Sequence, residues 1–520
     1  MSENADFART TSSSPFDALP LEVIHEIFER FDIPSLSVCK TVCRFFNTLI
    51  ETNVNLQYKI ELYAAGQEDG PAGSILPAQR LEMLRAHQKA WSSLDWQMSD
   101  HVPMATGGLW ELYGNILSQF EADGSLKFMQ LPSKLRGVPK RQWSIKELEF
   151  SPRDFGLDPS QDLLVLFENP RWQQNDRYLR IHIRTMSTGK THPLAPKPGY
   201  LMHQEGYVEL RRASYTIQIS GTYIGFLCSG AGAWPHGRHE LTIQNWKTGE
   251  IMMSLFGGTL RSYAFLGDHH IITVGLRLPE YDDIILQVHD LRTTPKTRES
   301  YPANCAFDFE LPEFQARLPE VLIRADPAPS WTPPDGDEPP FFLARKNRLF
   351  VITFFALPGE LHGQNLFVPS TTFFQALDSC SPDDGPIPWS QWGPNGTRLT
   401  RSNAQLMSVW VCYVHGMKFI EFDASEEDEA LVMYDFNPMA VRRGLHTRNT
   451  VYDSEYTVPI HGPHPPLDIA PGVFREEVET LLPFLQVRRP VPTTLEHAMC
   501  SEDSLVLVDS EERSYRVLTF

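Results

Sequence analysis

From about residue 107 to its C-terminus the chain is a succession of short runs rich in Val, Ile, Phe, Tyr and Thr, each stopped by Gly, Pro, Asn or Asp. QDLLVLFE, SYTIQIS, TYIGFLC, HHIITVGL, NRLFVITFF and SLVLVDS are examples. Many short strands joined by turns restrict the fold to a sandwich, a barrel or a propeller. A soft internal repeat favours the propeller. A strand ending in a Thr-Gly turn and followed by a further strand occurs at Arg177–Leu194 and Glu240–Leu255, with degraded copies at Ile284–Pro295 and Ala430–Met439. Taking Leu164, Ile224, Ile271, Phe350 and Val409 as equivalent strand centres gives intervals of 60, 47, 79 and 59 residues. These exceed the roughly 40–45 residues of a compact blade. Inserted loops at Ala328–Pro340 and Asp378–Pro388 account for the excess. The expectation is a degenerate β-propeller of roughly six to eight blades, with an irregular pair of β-sandwiches as the alternative. The two terminal strands in Leu505–Phe520 are expected to close the ring against Trp110–Phe120. One short helix is expected at Glu476–Leu482.

The N-terminal part follows a different period. Residues 1–14 are polar and rich in Ser and Thr, and are expected to be disordered. Ile24, Ile27, Phe28 and Phe31 then recur at i, i+3, i+4 and i+7, as do Val42, Phe45, Phe46, Leu49 and Ile50. Pro20 suits a first helical turn and Pro34 breaks the pattern, so three short helices with tight joins are expected. A unit of about 45 residues is near the limit of independent stability. Its large apolar residues cannot all face one small interior, so part of them is expected to stay open for a partner. The competing reading packs them against a helix spanning Pro77–Trp96. That helix is taken as the connector of a 63–106 linker that leads into the 107–520 β-domain.

Residues Phe16–Leu62 resemble an F-box. The matches are Leu19-Pro20, Glu22-Val23, Ile27-Phe28, Leu36, Cys39, Val42-Cys43-Arg44 and Leu49-Ile50. Two departures stand out: the family has Leu at the place of Phe31 and Trp at the place of Phe46. The β-rich remainder, with its WKTG, LFVPS and WVCYV stretches, is similar to many fungal (basidiomycete) F-box proteins. The resemblance implies an all-α F-box domain over 15–62 that binds a Skp-family adaptor and, through it, a cullin scaffold. The residues it assigns to the adaptor face are Leu19, Pro20, Val23, Ile27, Phe28, Leu36, Cys39, Val42, Cys43, Phe46 and Leu49. The chain would then be the non-catalytic substrate receptor of an SCF-type ubiquitin ligase, with a protein substrate on its β-domain. The alternative is a Skp-bound regulatory or scaffold protein without ubiquitylation output.

Composition is compatible with that role. The formal net charge is −19, the wrong sign for nucleic acid or an anionic membrane. The longest apolar run, Leu349–Leu357, is far below the roughly 20 residues of a membrane helix. The start, MSENADFART, has no apolar core for a signal peptide. Seven widely spaced cysteines without a C-x-x-C pair suggest reduced thiols in cytoplasm or nucleus.

No catalytic, cofactor or metal site is expected. Ser187–Thr191 (STGKT) has Arg184 where a phosphate loop needs its first glycine. His461 and His464 lack further ligands nearby, and Asp423–Glu429 reads as a solvated hairpin tip. Trp234, Trp331, Trp389 and Trp392 are the aromatic loop candidates for substrate contact.

Overall fold

The computed structural model describes residues 19–170, 177–230, 237–277, 283–315, 320–334, 338–355, 363–402, 412–423, 430–446, 457–460, 473–491 and 497–520. His461, His464, Trp234 and most of Asp423–Glu429 lie outside them.

Four helices open the described chain: α1 (Leu21–Glu29), α2 (Ile33–Val42), α3 (Arg44–Thr52) and α4 (Val54–Ala65). The sequence pattern predicts three. The fourth begins where Asn53 accepts the amides of Asn55 and Leu56, a side-chain cap hidden in a polar stretch. A fifth, α5 (Pro77–Ser92), stops four residues short of the expected Trp96, and Leu94 sits at φ 49°.

The remainder is a seven-bladed β-propeller. Counting strands outward from the channel, blade 1 spans 110–145, blade 2 spans 152–204 and blade 3 spans 214–257 with an added strand at 298–300. Blade 4 spans 260–309, blade 5 spans 321–402 and blade 6 spans 414–490. Blade 7 combines 497–519 with Met98–Pro103 as its outermost strand.

Apolar clusters bridge the neighbouring blades. Phe128 and Ile145 of blade 1 meet Phe155 and Leu164 of blade 2. Further clusters join blades 2–3, 3–4, 4–5, 5–6 and 6–7. The ring shuts where Val506 and Val517 of blade 7 meet Leu117 and Met129 of blade 1. Both faces of a blade are therefore covered. This explains why second strands such as Leu163–Glu168 and Leu349–Phe354 are buried at every position and read as unbroken apolar runs.

The repeat reading aligned true equivalents. Leu164, Ile224, Ile271 and Phe350 all lie in second strands of successive blades. Val409 is outside the described residues. The Thr-Gly turns follow third strands, with Gly189 at φ 72° and Gly249 at φ 79°. Ring closure differs from expectation. The C-terminal strand Ser514–Thr519 pairs antiparallel with Met98–Pro103, in register from Met98↔Thr519 to Pro103↔Ser514. Trp110–Tyr113 and Ile116–Phe120 instead open blade 1. The propeller thus begins before residue 107.

No helix forms at Glu476–Leu482. The segment has no regular structure and is held to blade 5, where the Leu481 and Leu482 amides donate to the Pro394 and Thr397 carbonyls. Blade 5 carries two helices that the sequence pattern missed, α6 (Ser370–Ser379) and α7 (Trp389–Gly396); blade 6 carries a third, α8 (Pro438–His446).

Candidate functional site

The helical unit has a small sealed core of Ile24, Phe28, Leu36, Leu49, Ile50 and Leu56. Phe46 meets Phe28 edge-on at 5.2 Å, so the phenyl ring fills its place without an indole N–H. Local chemistry sets the joins. Asp32 caps α2 through the Ser35 amide, and hydrogen bonds from the Ser35 hydroxyl and then this amide hold its carboxyl below the usual range. The Cys43 sulfur accepts the Phe46 amide at 3.4 Å and caps α3. Lys59 of α4 donates to the Glu29 and Phe31 carbonyls at the end of α1.

What is left outside is apolar. Eight of the fourteen exposed large hydrophobics among the described residues fall in this unit: Leu19, Leu21, Val23, Val38, Val42, Phe45, Val54 and Tyr63. Val38 and Val42 are the most open, each at 63%. Among the residues expected to contact an adaptor, Leu19, Pro20, Val23, Val42 and Cys43 are exposed, and Ile27, Cys39 and Phe46 are half-buried. Phe28, Leu36 and Leu49 are not presented at all; they form the unit's own core, at 1%, 0% and 9% exposure. Leu21, Val38 and Phe45, outside the expected set, are exposed as well. Their signal was the outward phase of the same helical period.

The unit is fixed to the propeller rather than tethered. Gln67–Asp69 pairs as a short strand with Phe341–Leu343. The Tyr58 hydroxyl is shared between the Asp69 carboxylate (2.9 Å) and the Pro340 carbonyl (2.8 Å). Arg80, 7% exposed, donates to Asp69 Oδ1 at 2.7 Å and to the Pro71 carbonyl. Trp91 of α5 stacks on the C-terminal Phe520 at 4.2 Å. Beneath α5 lies a buried charge network. Arg136 of blade 1 holds Asp503 at 2.7 Å and Glu502 at 2.8 Å, and donates to the Phe341 carbonyl. His87 Nε2 lies 3.2 Å from Asp503 Oδ1. Burial keeps the His87 imidazole below its ordinary pKa. Burial pushes the Asp503 carboxyl up, but Arg136 and His87 outweigh it and hold it low. Burial leaves the Glu502 carboxyl raised despite Arg136.

The same side of the ring is plugged. Residues 326–334 and 338–347, between the first two strands of blade 5, lie at the channel mouth. The Ala328 amide donates to the Tyr113 hydroxyl of blade 1, Ser330 meets Ser220 of blade 3, and the Gly416 amide of blade 6 donates to the Asp326 carbonyl. Arg348, 2% exposed, spends its guanidinium on the Pro327, Phe265, Leu266 and Ala325 carbonyls. A cavity of about 520 Å³ sits between this loop and blades 1 and 2, walled by Trp143, Met186, Trp331, Pro333 and Arg136.

Three of the four tryptophan candidates fall among the described residues. Trp331 is 4% exposed, with its ring edge-on to Tyr113 at 5.5 Å. Trp392 is 4% exposed in α7, and Trp389 packs on it at 5.0 Å. Trp389 is half-buried, and Trp331 also walls the cavity. The STGKT stretch is a turn after the third strand of blade 2, as expected.

Residues 16–58 match the family model of the F-box domain. The F-box match ends within α4, so the second half of that helix belongs to the mount. No curated protein matches the chain. Solved structures similar to it include the WD40 domain of SCAP from fission yeast (TM-score 0.31, 8% identity, covering 81% of this chain and 97% of that one). Others are the tricorn protease (TM-score 0.35, 11% identity, 81% and 34%) and cobalt-substituted Synechocystis ACO (TM-score 0.27, 7% identity, 58% and 64%). The chain thus spans less than two thirds of the length of the Synechocystis protein. At these TM-scores the likenesses carry no argument.

The seven cysteines are all free thiols; Cys228, Cys412 and Cys500 are buried and Cys43 is exposed. No described helix is long and apolar enough to cross a membrane.

Proposed function

We propose that this chain is an F-box substrate receptor of fungal type, the non-catalytic subunit of an SCF-type ubiquitin ligase in cytoplasm or nucleus. Its F-box binds a Skp-family adaptor and, through it, a cullin; its propeller binds a protein substrate. The observation that carries this is the concentration of exposed apolar side chains on the F-box match, on a unit whose own core is already complete. Such surface marks a protein interface. The adaptor face is Leu19, Pro20, Val23, Val42 and Cys43, rimmed by Ile27, Cys39 and Phe46, with Leu21, Val38 and Phe45 added.

Geometry supports a division of faces. The F-box mount and the blade 5 plug occupy one mouth of the ring, so the substrate is assigned to the opposite mouth. The rigid mount keeps a bound substrate at a fixed offset from the adaptor, which raises the effective concentration of its lysines at the conjugating enzyme. The test is affinity purification of the tagged chain with and without proteasome inhibition. The proposal expects adaptor and cullin in both samples and additional proteins enriched under inhibition. Adaptor recovered without any cullin would refute the ligase reading.

A further inference from the structure

The cavity between the plug and blades 1 and 2 is built from unlike parts. Most of its wall is apolar, with Trp143, Met186, Pro159, Trp331 and Pro333. The Trp143 indole N–H donates to the Met186 carbonyl at 3.0 Å, and Phe128 stacks on the ring at 5.2 Å. The indole therefore offers the cavity π surface rather than a donor. About 520 Å³ is room for a small organic molecule.

One part of the wall is a carboxylate. Glu502, in the turn between the two inner strands of blade 7, is 8% exposed and lines the same cavity. Its Oε1 accepts the Leu343 amide at 2.9 Å and lies 2.8 Å from Arg136 Nη1. No described residue hydrogen-bonds its Oε2, and that oxygen is not sealed from the cavity.

The charges do not balance either. Arg136 serves two carboxylates, Glu502 and, at 2.7 Å, Asp503. Burial keeps His87, the other group on Asp503, below its ordinary pKa. One negative charge is thus unmatched. Arg141 and Asp162 also line the wall and contribute one charge of each sign. The Asp162 carboxylate is taken by the Ser187 amide at 2.7 Å and the Ser187 hydroxyl at 2.6 Å. A buried carboxylate with an idle oxygen and a surplus charge calls for a cationic donor. A metal ion needs several ligands, and no three described His, Cys, Asp or Glu side chains are close enough to share one. An ammonium group needs one carboxylate, and indole faces attract it as well.

We infer that this cavity binds a small organic amine, with its ammonium group on Glu502 and an apolar or aromatic body against Trp143 and Trp331. The site lies on the F-box side of the ring, away from the mouth assigned to the substrate, and does not depend on that assignment. Glu502 and Arg136 belong to the network beneath α5, so an occupant braces the F-box mount.

The test is calorimetric titration of the full chain with tryptamine and with neutral indole-3-ethanol, which carries a hydroxyl in place of the ammonium. Tryptamine is expected to bind saturably and indole-3-ethanol about tenfold or more weaker, the worth of one charge-assisted hydrogen bond. Glu502→Gln, with unchanged circular dichroism, should bring tryptamine down to the level of indole-3-ethanol. Trp143→Ala, at a half-buried position, should weaken both compounds. A loss of folding would not produce that pattern of one selective and one general effect. Equal binding of the two compounds to the wild-type chain, no binding of either, or full tryptamine affinity in Trp143→Ala overturns the inference. So does a preference for tryptamine that survives in Glu502→Gln.

Discussion

Replacing Arg136 with Met tests how the F-box mount is held. The guanidinium is 5% exposed and is the cation between two buried carboxylates, Asp503 at 2.7 Å and Glu502 at 2.8 Å. Met keeps much of the apolar stem but leaves two adjacent acids without their counter-charge. Breaking a buried pair from one side costs about 3–5 kcal/mol. Loss of the bond to the Phe341 carbonyl, which sits in the strand paired with Gln67–Asp69, adds about 1 kcal/mol. The sign of the pH response is also set. With Arg136 present the Asp503 carboxyl is held low, so its contribution is present above the unfolded pKa and is lost as pH falls through the folded one. Without Arg136 both carboxyls are raised by burial, so the variant's deficit grows as pH rises and shrinks on acidification. Urea unfolding at about pH 8 and about pH 5 reads both effects. Adding Asp503→Asn to Arg136→Met should recover part of the loss. A single variant as stable as the wild-type protein at both pH values would refute the network.

Three further outcomes follow from the packing. Deleting 510–520 removes the strand between Ser504–Asp509 and Met98–Pro103, so the whole propeller should lose its cooperative melting transition rather than shift by a degree or two; an unchanged melt would refute closure through this strand. Gly66→Ala forces a Cβ onto a residue at φ 68° and within 2.7 Å of Asn347 Nδ2, and should cost about 1–3 kcal/mol by urea unfolding. Asp326→Asn should stabilise the protein at about pH 8, because burial raises this carboxyl to about 6 and the ionised form is disfavoured in the fold; the gain should shrink as pH falls through about 6 and vanish only below the unfolded pKa of about 4.

The fold was legible where period and packing coincide. The second strands of blades 2 to 5 stood out because both their faces are covered, and Leu164, Ile224, Ile271 and Phe350 could be aligned across 186 residues of chain. Blade 7 was half-hidden, since its outer strand, MSDHVP, is exposed at alternate positions and polar. It therefore looked like linker. The helices on blade 5 were hidden because STTFFQALDS follows a strand directly and WSQWGPNG contains an internal proline. In the F-box unit, helical period identified which residues are apolar but not which face each one takes. Phe28 and Val42 scored alike in the sequence, yet one is sealed and the other is the most open valine with Val38. Tertiary contacts with α4, through Leu56 and Lys59, decide that partition.

The account stands on the outward faces of α1–α3, and binding of the purified full chain to a purified Skp-family adaptor probes them directly. Size-exclusion chromatography should give a one-to-one complex with the wild-type protein. Val38→Asp combined with Val42→Asp should abolish it while leaving the propeller's melting temperature unchanged, since both side chains are 63% exposed. A folded wild-type chain that elutes apart from the adaptor, or a double variant that still co-elutes with it, would contradict the account.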